Sequence, residues 1–170
     1  MLEAAIFVIF PICLVLAALT DLFEMTIPNR IPTILLASFF VVAPFVGLTW
    51  AGFGMHLVAG LIVFSVGFTL FAFNVMGGGD AKLLTAAAVW YGFTPELMSF
   101  LIHVAYLGGA LTIVILLLRS RLNTVIAMGL PIPQSLLGAK KVPYAIAIGF
   151  AGLMTYPQSP LVLAALDNIR

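Results

Sequence analysis

Asp21 and Asp80 are the residues of this chain best placed to do chemistry. Asp21 follows the apolar run Ala4–Thr20, and Asp80 lies between the run Leu57–Met76 and a further apolar stretch. A carboxylate against hydrocarbon is costly, so it is rare there without a partner or a task. Two long apolar segments, Ile31–Trp50 and Leu57–Met76, separate the acids. If both cross a bilayer, the chain goes over and returns, and the two acids face the same side at the same depth. Carboxylates so placed suit a shared-proton pair, the arrangement that activates water in aspartic proteolysis.

The surroundings of Asp80 sharpen that reading. It sits in Gly77-Gly78-Gly79-Asp80-Ala81-Lys82. As an N-cap it would suit the following helix and its dipole. A cap alone does not need three glycines before it. Gly77, Gly78 and Gly79 strip side chains from the approach and permit positive φ, so a polypeptide could lie close to the carboxylate. Asp21, at the C-terminal end of a helix, opposes the helix dipole, a mild penalty that hints at a reason for its presence. Glu24 is its rival and reads as a solvated loop acid. In the loop that follows, Pro28 suits the first turn of a helix with Thr26 as its cap. Asn29 either bonds loop backbone or reaches the acid pair. Lys82 is either a basic anchor at the membrane surface or a neighbour that holds Asp80 ionised.

The remaining polar residues read as structural. His103, inside Leu97–Leu118, is expected to bond across helices. Glu96 reads as a first-turn acid after Thr94-Pro95. Trp50, Trp90, Tyr91, Tyr106 and Tyr144 include several at expected helix ends, which fits an aromatic belt.

The chain has 170 residues, 64% hydrophobic and 8% charged. A soluble domain carries roughly 25% charged residues. The fold class is therefore all-α: a polytopic membrane bundle in contact with the lipid bilayer. A net charge of +1 offers no basic surface for nucleic acid. Cys13 is the only cysteine, which excludes an internal disulfide and a cysteine-rich zinc module. His56 and His103 are far apart, and no metal-ligand spacing appears. No phosphate-cradling Gly-x-x-x-x-Gly-Lys-Ser/Thr, no Gly-x-Ser-x-Gly and no His-Glu-x-x-His occurs, so neither cofactor nor metal is expected.

These acids must be positioned by membrane helices. A span needs about 20 apolar residues. Ala4–Thr20, Ile31–Trp50, Leu57–Met76 and Leu97–Leu118 qualify. Pro143–Tyr156, extended by Leu161–Leu166, supplies a last helix, and Ala81–Phe93 is short. The segment Met1-Leu2-Glu3 is acidic, unlike the basic start of a cleaved signal, so the first run reads as a retained span. If Ala81–Phe93 crosses, Arg30, Lys82, Arg119, Arg121, Lys140 and Lys141 share one side, with only Arg170 opposite. That bias predicts about six crossings, the N-terminus outside and both aspartates on the cytoplasmic side. Ala51–His56 and Thr94–Glu96 read as short external connections. Arg119–Val142 reads as the main soluble loop, with Leu122–Leu130 in the interface and Pro131 and Pro133 breaking any helix. Gly60, Gly67, Gly108, Gly109, Gly149 and Gly152 are expected to let helices approach closely. Paired intramembrane acids also serve ion or proton translocation, or a scaffold could carry them without catalysis. No internal repeat supports a transporter.

Asp21, Ile27-Pro28-Asn29, Gly77-x-Gly79-Asp80-Ala81-Lys82 and Val142-Pro143-Tyr144 together resemble the type IV prepilin peptidases. These are polytopic aspartic peptidases of the bacterial inner membrane. The resemblance implies that Asp21 and Asp80 are the catalytic pair and that a prepilin, an apolar helix with a short leader, is the substrate. It also implies cleavage at the cytoplasmic face, with pilus assembly machinery as partner. Larger family members carry a cytoplasmic domain after the first helix, often with paired zinc-binding cysteines, and methylate the new N-terminus. Here Asp21 runs into the next helix by Ile31, and those cysteines are missing. The chain therefore resembles the short form of Flp-type and tight-adherence systems. It reads as one transmembrane peptidase domain over residues 1–170, and the resemblance does not extend to methylation.

Overall fold

The computed structural model describes residues 2–121 and 142–169. Its regular elements among these residues are all helices, with no strand among them. The helices are α1 (Leu2–Glu24), α2 (Arg30–Val42), α3 (Trp50–Ala72), α4 (Gly78–Tyr91), α5 (Pro95–Ser120), α6 (Tyr144–Thr155) and α7 (Pro160–Ile169). Among the described residues four stretches are long and apolar enough to cross a membrane: Ala5–Glu24, Trp50–Ala72, Pro95–Ser120 and Tyr144–Asp167. The expected loop features at Leu122–Leu130, Pro131 and Pro133 lie outside the described residues.

Boundaries shift where local chemistry overrides apolar composition. The run Ile31–Trp50 does not form one helix. It ends at Val42, passes through a 3₁₀ turn at Ala43–Val46 with Pro44 in its first turn, and reverses at Gly47, φ 75°. Proline tightens the turn and glycine accepts the left-handed φ. Trp50 therefore begins α3 instead of closing α2. Thr49 caps α3 by accepting from the Gly52 N–H at 3.1 Å. The stretch Ala51–His56, expected to be a connection, is helical. The second expected connection, Thr94–Glu96, shifts to Gly92–Thr94: Thr94 caps α5, Pro95 takes its first position and Glu96, as expected, lies in its first turn. The last apolar segment breaks at a 3₁₀ turn, Tyr156–Gln158, and α7 packs against α1, α4 and the Ala43–Val46 turn.

Side-chain contacts fix how the helices run. Asp21 near the end of α1 meets Ala145 at the start of α6, whereas Ile6 near the start of α1 meets Tyr156 beyond its end. Asn29 meets Lys82, and Leu35 meets Trp90, so α2 and α4 run in the same direction. His56 near the start of α3 bonds Val89 near the end of α4. Thr112 late in α5 reaches Tyr144 at the start of α6. Six helices thus alternate, and the ends bearing Asp21 and Asp80 lie together.

The short α4 is the centre of the bundle. It spans roughly 20 Å, too short to cross a bilayer unaided. It is sheltered among other helices: α3 and α2 flank it, and Leu83, Ala87, Ala88 and Trp90 are buried. Small residues allow this. A Cβ on Gly60 would lie 2.5 Å from Val89 Cγ2, and one on Gly67 would lie 3.3 Å from Ala81 Cβ. Gly149 and Gly152 admit Leu14 of α1 in the same way, and Gly108 admits the Tyr144 ring. Gly109 differs, with nothing near its Cβ position. Trp90 and Tyr91 are core residues, not belt residues. Trp90 Nε1 donates to the Leu35 carbonyl at 2.8 Å, and Tyr91 Oη meets Thr155 Oγ1 at 2.8 Å. Trp50 and Tyr106 are exposed, as a lipid-facing or interfacial position requires.

Candidate active site

Asp21 lies in the last turn of α1, where the helix dipole disfavours it. Its Oδ2 accepts from the Ala145 backbone N–H at 2.9 Å. That amide belongs to the first turn of α6, whose N-cap, Pro143, supplies no side-chain cap. The carboxylate of one helix thus caps another. The penalty at the α1 terminus is offset by an acid at the positive end of α6.

Asp80 lies in the first turn of α4, third after the cap. The N-cap is Gly77, with φ −70° and ψ 143°, so the alternative reading of Asp80 as a simple cap does not hold. The three glycines do not use positive φ; that conformation occurs among the described glycines at Gly47 and Gly92. Their role is spatial. A Cβ on Gly77 would lie 2.6 Å from Asp80 Oδ2. One on Gly78 would meet the Phe71 ring at 3.2 Å, and one on Gly79 would meet Ile27 Cβ at 3.1 Å. The segment is bare so that the Asp80 carboxylate can fold back over it and the α1–α2 loop can close on it.

The two aspartates are buried, with 6% and 8% of their surfaces exposed, yet both line one cleft of about 260 Å³. Gly77, Gly78 and Gly79 form its α4 wall, and Thr26, Ile27 and Asn29 form the loop wall. A second hollow, about 290 Å³, reaches Asp80 and Gly77 from the side of Asn74, Thr112 and Tyr144. Glu24 is exposed and does not line the cleft, as its reading as a solvated acid requires.

The loop residues fall differently from expectation. Neither Thr26 nor Pro28 begins α2. Its N-cap is Asn29, already helical at φ −56° and ψ −23°, with no side-chain cap bond. The Asn29 side chain is instead engaged with Lys82, whose Nζ donates to Asn29 Oδ1 at 2.9 Å. Lys82 faces a neighbouring groove between α2 and α4, which Asn29 also lines. This pairing of Asn29 and Lys82 across 53 positions was not readable from spacing. His103 bonds its own helix, Nδ1 lying 2.7 Å from the Ser99 carbonyl, and not a neighbouring one. His56 is buried against Val89 and Phe39. Among the described residues no group of His, Cys, Asp and Glu could hold a metal ion.

An all-helical membrane bundle with an acid-lined cleft at one end is the architecture of a membrane-embedded aspartic peptidase. The chain belongs to the type IV leader peptidase family, which it matches over residues 8–128. The match contains Asp21, Asp80 and every helix from α2 to α5, and stops before α6. It supports leader-peptidase activity of the aspartic type in general. No curated protein and no solved structure gives a match.

Proposed function

We propose that this protein removes the leader peptide of a Flp-type prepilin at the cytoplasmic face of the bacterial inner membrane, with Asp21 and Asp80 as its catalytic pair. One observation carries the reading: two buried carboxylates from separate helices line a single cleft, and both fall within the family match. The pair holds one proton between them. The ionised carboxylate takes a proton from water, and the resulting hydroxide adds to the scissile carbonyl. The protonated carboxyl donates to the carbonyl oxygen. As the tetrahedral diol collapses and the C–N bond breaks, a hydroxyl proton returns to the second carboxylate and the proton held by the first passes to the leaving amine, which restores the singly protonated pair. Neither metal nor cofactor enters these steps.

Charge supports the choice of membrane side. Arg30, Lys82, Arg119 and Arg121 belong to the helix ends that carry the acids, and basic residues favour the cytoplasmic side. The substrate's apolar helix would pack in lipid beside the bundle and present its leader junction to Gly77–Asp80. The matured pilin would then pass to the pilus assembly machinery. The whole chain acts as one peptidase domain.

Coexpression with a small Flp-type prepilin tests this, with leader removal followed by gel shift and mass spectrometry. Wild type and Glu24→Gln should cleave, whereas Asp21→Asn and Asp80→Asn should not. Cleavage that survives loss of Asp80 would remove the aspartic mechanism.

A further inference from the structure

The Asn29–Lys82 contact joins the acid cleft to the groove beside it, because Asn29 lines both. A lysine ammonium has donors and no acceptor. It therefore dictates which end of the Asn29 amide it meets: Oδ1 accepts from Lys82 Nζ at 2.9 Å. The Nδ2 group, with two N–H donors, is left on the other arm of the amide. Of the side chains lining the acid cleft, the neutral ones with an N–H or O–H to donate are Thr26 and Asn29. A peptide strand laid across the aspartates brings backbone carbonyls into a half-enclosed cleft where they give up part of their water. An unmatched carbonyl there is costly.

We propose that Lys82 is a positioning residue that orients the Asn29 amide, so that Nδ2 donates to a backbone carbonyl of the strand held for cutting. The inference rests on the peptidase reading and assigns its substrate contact. Thr33, the next hydroxyl along α2, does not compete for the amide, since its Oγ1 donates to the Asn29 main-chain carbonyl at 2.7 Å. The orientation of the amide is thus set by one bond to a flexible side chain, and removing the amine frees the amide to turn its acceptor toward the substrate.

Two substitutions separate this from a merely structural bridge. Asn29→Asp keeps an acceptor for Lys82 and loses both donors. Lys82→Met keeps the amide and loses what orients it. Steady-state cleavage of a synthetic prepilin peptide by the full-length protein in nanodiscs gives kcat and KM for each, beside wild type, Asn29→Ala, Lys82→Arg, Asp21→Asn and Asp80→Asn. Loss of a substrate hydrogen bond should lower kcat/KM about tenfold or more in Asn29→Asp and Asn29→Ala alike, and Lys82→Met by a smaller factor. Lys82→Arg, still a donor without an acceptor, should stay within about threefold of wild type. Wild-type cleavage by Asn29→Asp would overturn the inference, because the donors would then be irrelevant. So would wild-type cleavage by Lys82→Met. Should the aspartate variants cleave normally, the peptidase reading falls by itself, whatever the Asn29 series shows. Both residues are exposed, and membrane accumulation of each variant is checked by immunoblot.

Discussion

Replacing Gly77 by alanine tests whether the bare segment before Asp80 exists to make room for its carboxylate. The backbone at Gly77 is extended, φ −70° and ψ 143°, so alanine fits without strain. Its Cβ would sit 2.6 Å from Asp80 Oδ2, where ordinary contact begins at 3.4 Å. The carboxylate must withdraw by roughly 0.8 Å or rotate away, and misplacement of a reacting group by that much costs on the order of a hundredfold in rate. The fold should lose little, since glycine and alanine at a helix N-cap differ by about 1 kcal/mol or less. Gly77→Ala should therefore cut leader removal about 10- to 100-fold in a time course with coexpressed prepilin, while its melting temperature in detergent stays near wild type. Gly109→Ala is the control, because nothing lies within 4 Å of the Cβ it would add. Cleavage at the wild-type rate by Gly77→Ala would refute the reasoning. So would a loss of cleavage that only tracks a loss of folded protein.

Two further outcomes follow from the packing. Asp21→Ala removes the acceptor for the Ala145 amide and should lower stability by about 1–2 kcal/mol, whereas Asp21→Asn keeps an oxygen there and should melt near wild type, both being inactive; thermal melts of the purified variants distinguish them. Gly60→Leu drives a side chain into Val89 of α4 and should destabilise by about 1–3 kcal/mol or more, with partial rescue by Val89→Ala, read by denaturation of the two single variants and the double variant.

The acid pair was legible because membrane sequence is so uniform that an aspartate at the end of an apolar run stands out. The parity of crossings between Asp21 and Asp80 then places them at one end, and the helices bear this out. Where helices stop was less legible. Apolar composition runs straight through Val42–Trp50, and the reversal there depends on Pro44 and Gly47, a local signal that a count of apolar residues passes over. Trp90 and Tyr91 look like belt residues because they end an apolar run. Their burial follows from α4 being central, which only tertiary packing reveals. The glycines were singled out for two properties, and one of them applies: three neighbours need the space left by their missing side chains, whereas none of the three uses positive φ. Least legible of all was the partner of Asp21, an amide 124 positions away, since no spacing rule links a residue ending one helix to the start of another so distant.

That distance has a consequence for how the protein is made. Asp21 and Asp80 are both synthesised well before Ala145, whose amide holds Asp21 in place. A nascent chain paused before α6 carries both acids, threaded into the membrane, and lacks the helix that fixes one of them. On the proposed role of the two aspartates, competence would arrive with a late segment: until α6 packs antiparallel to α1, the chain would hold both carboxylates without the amide that aligns one of them.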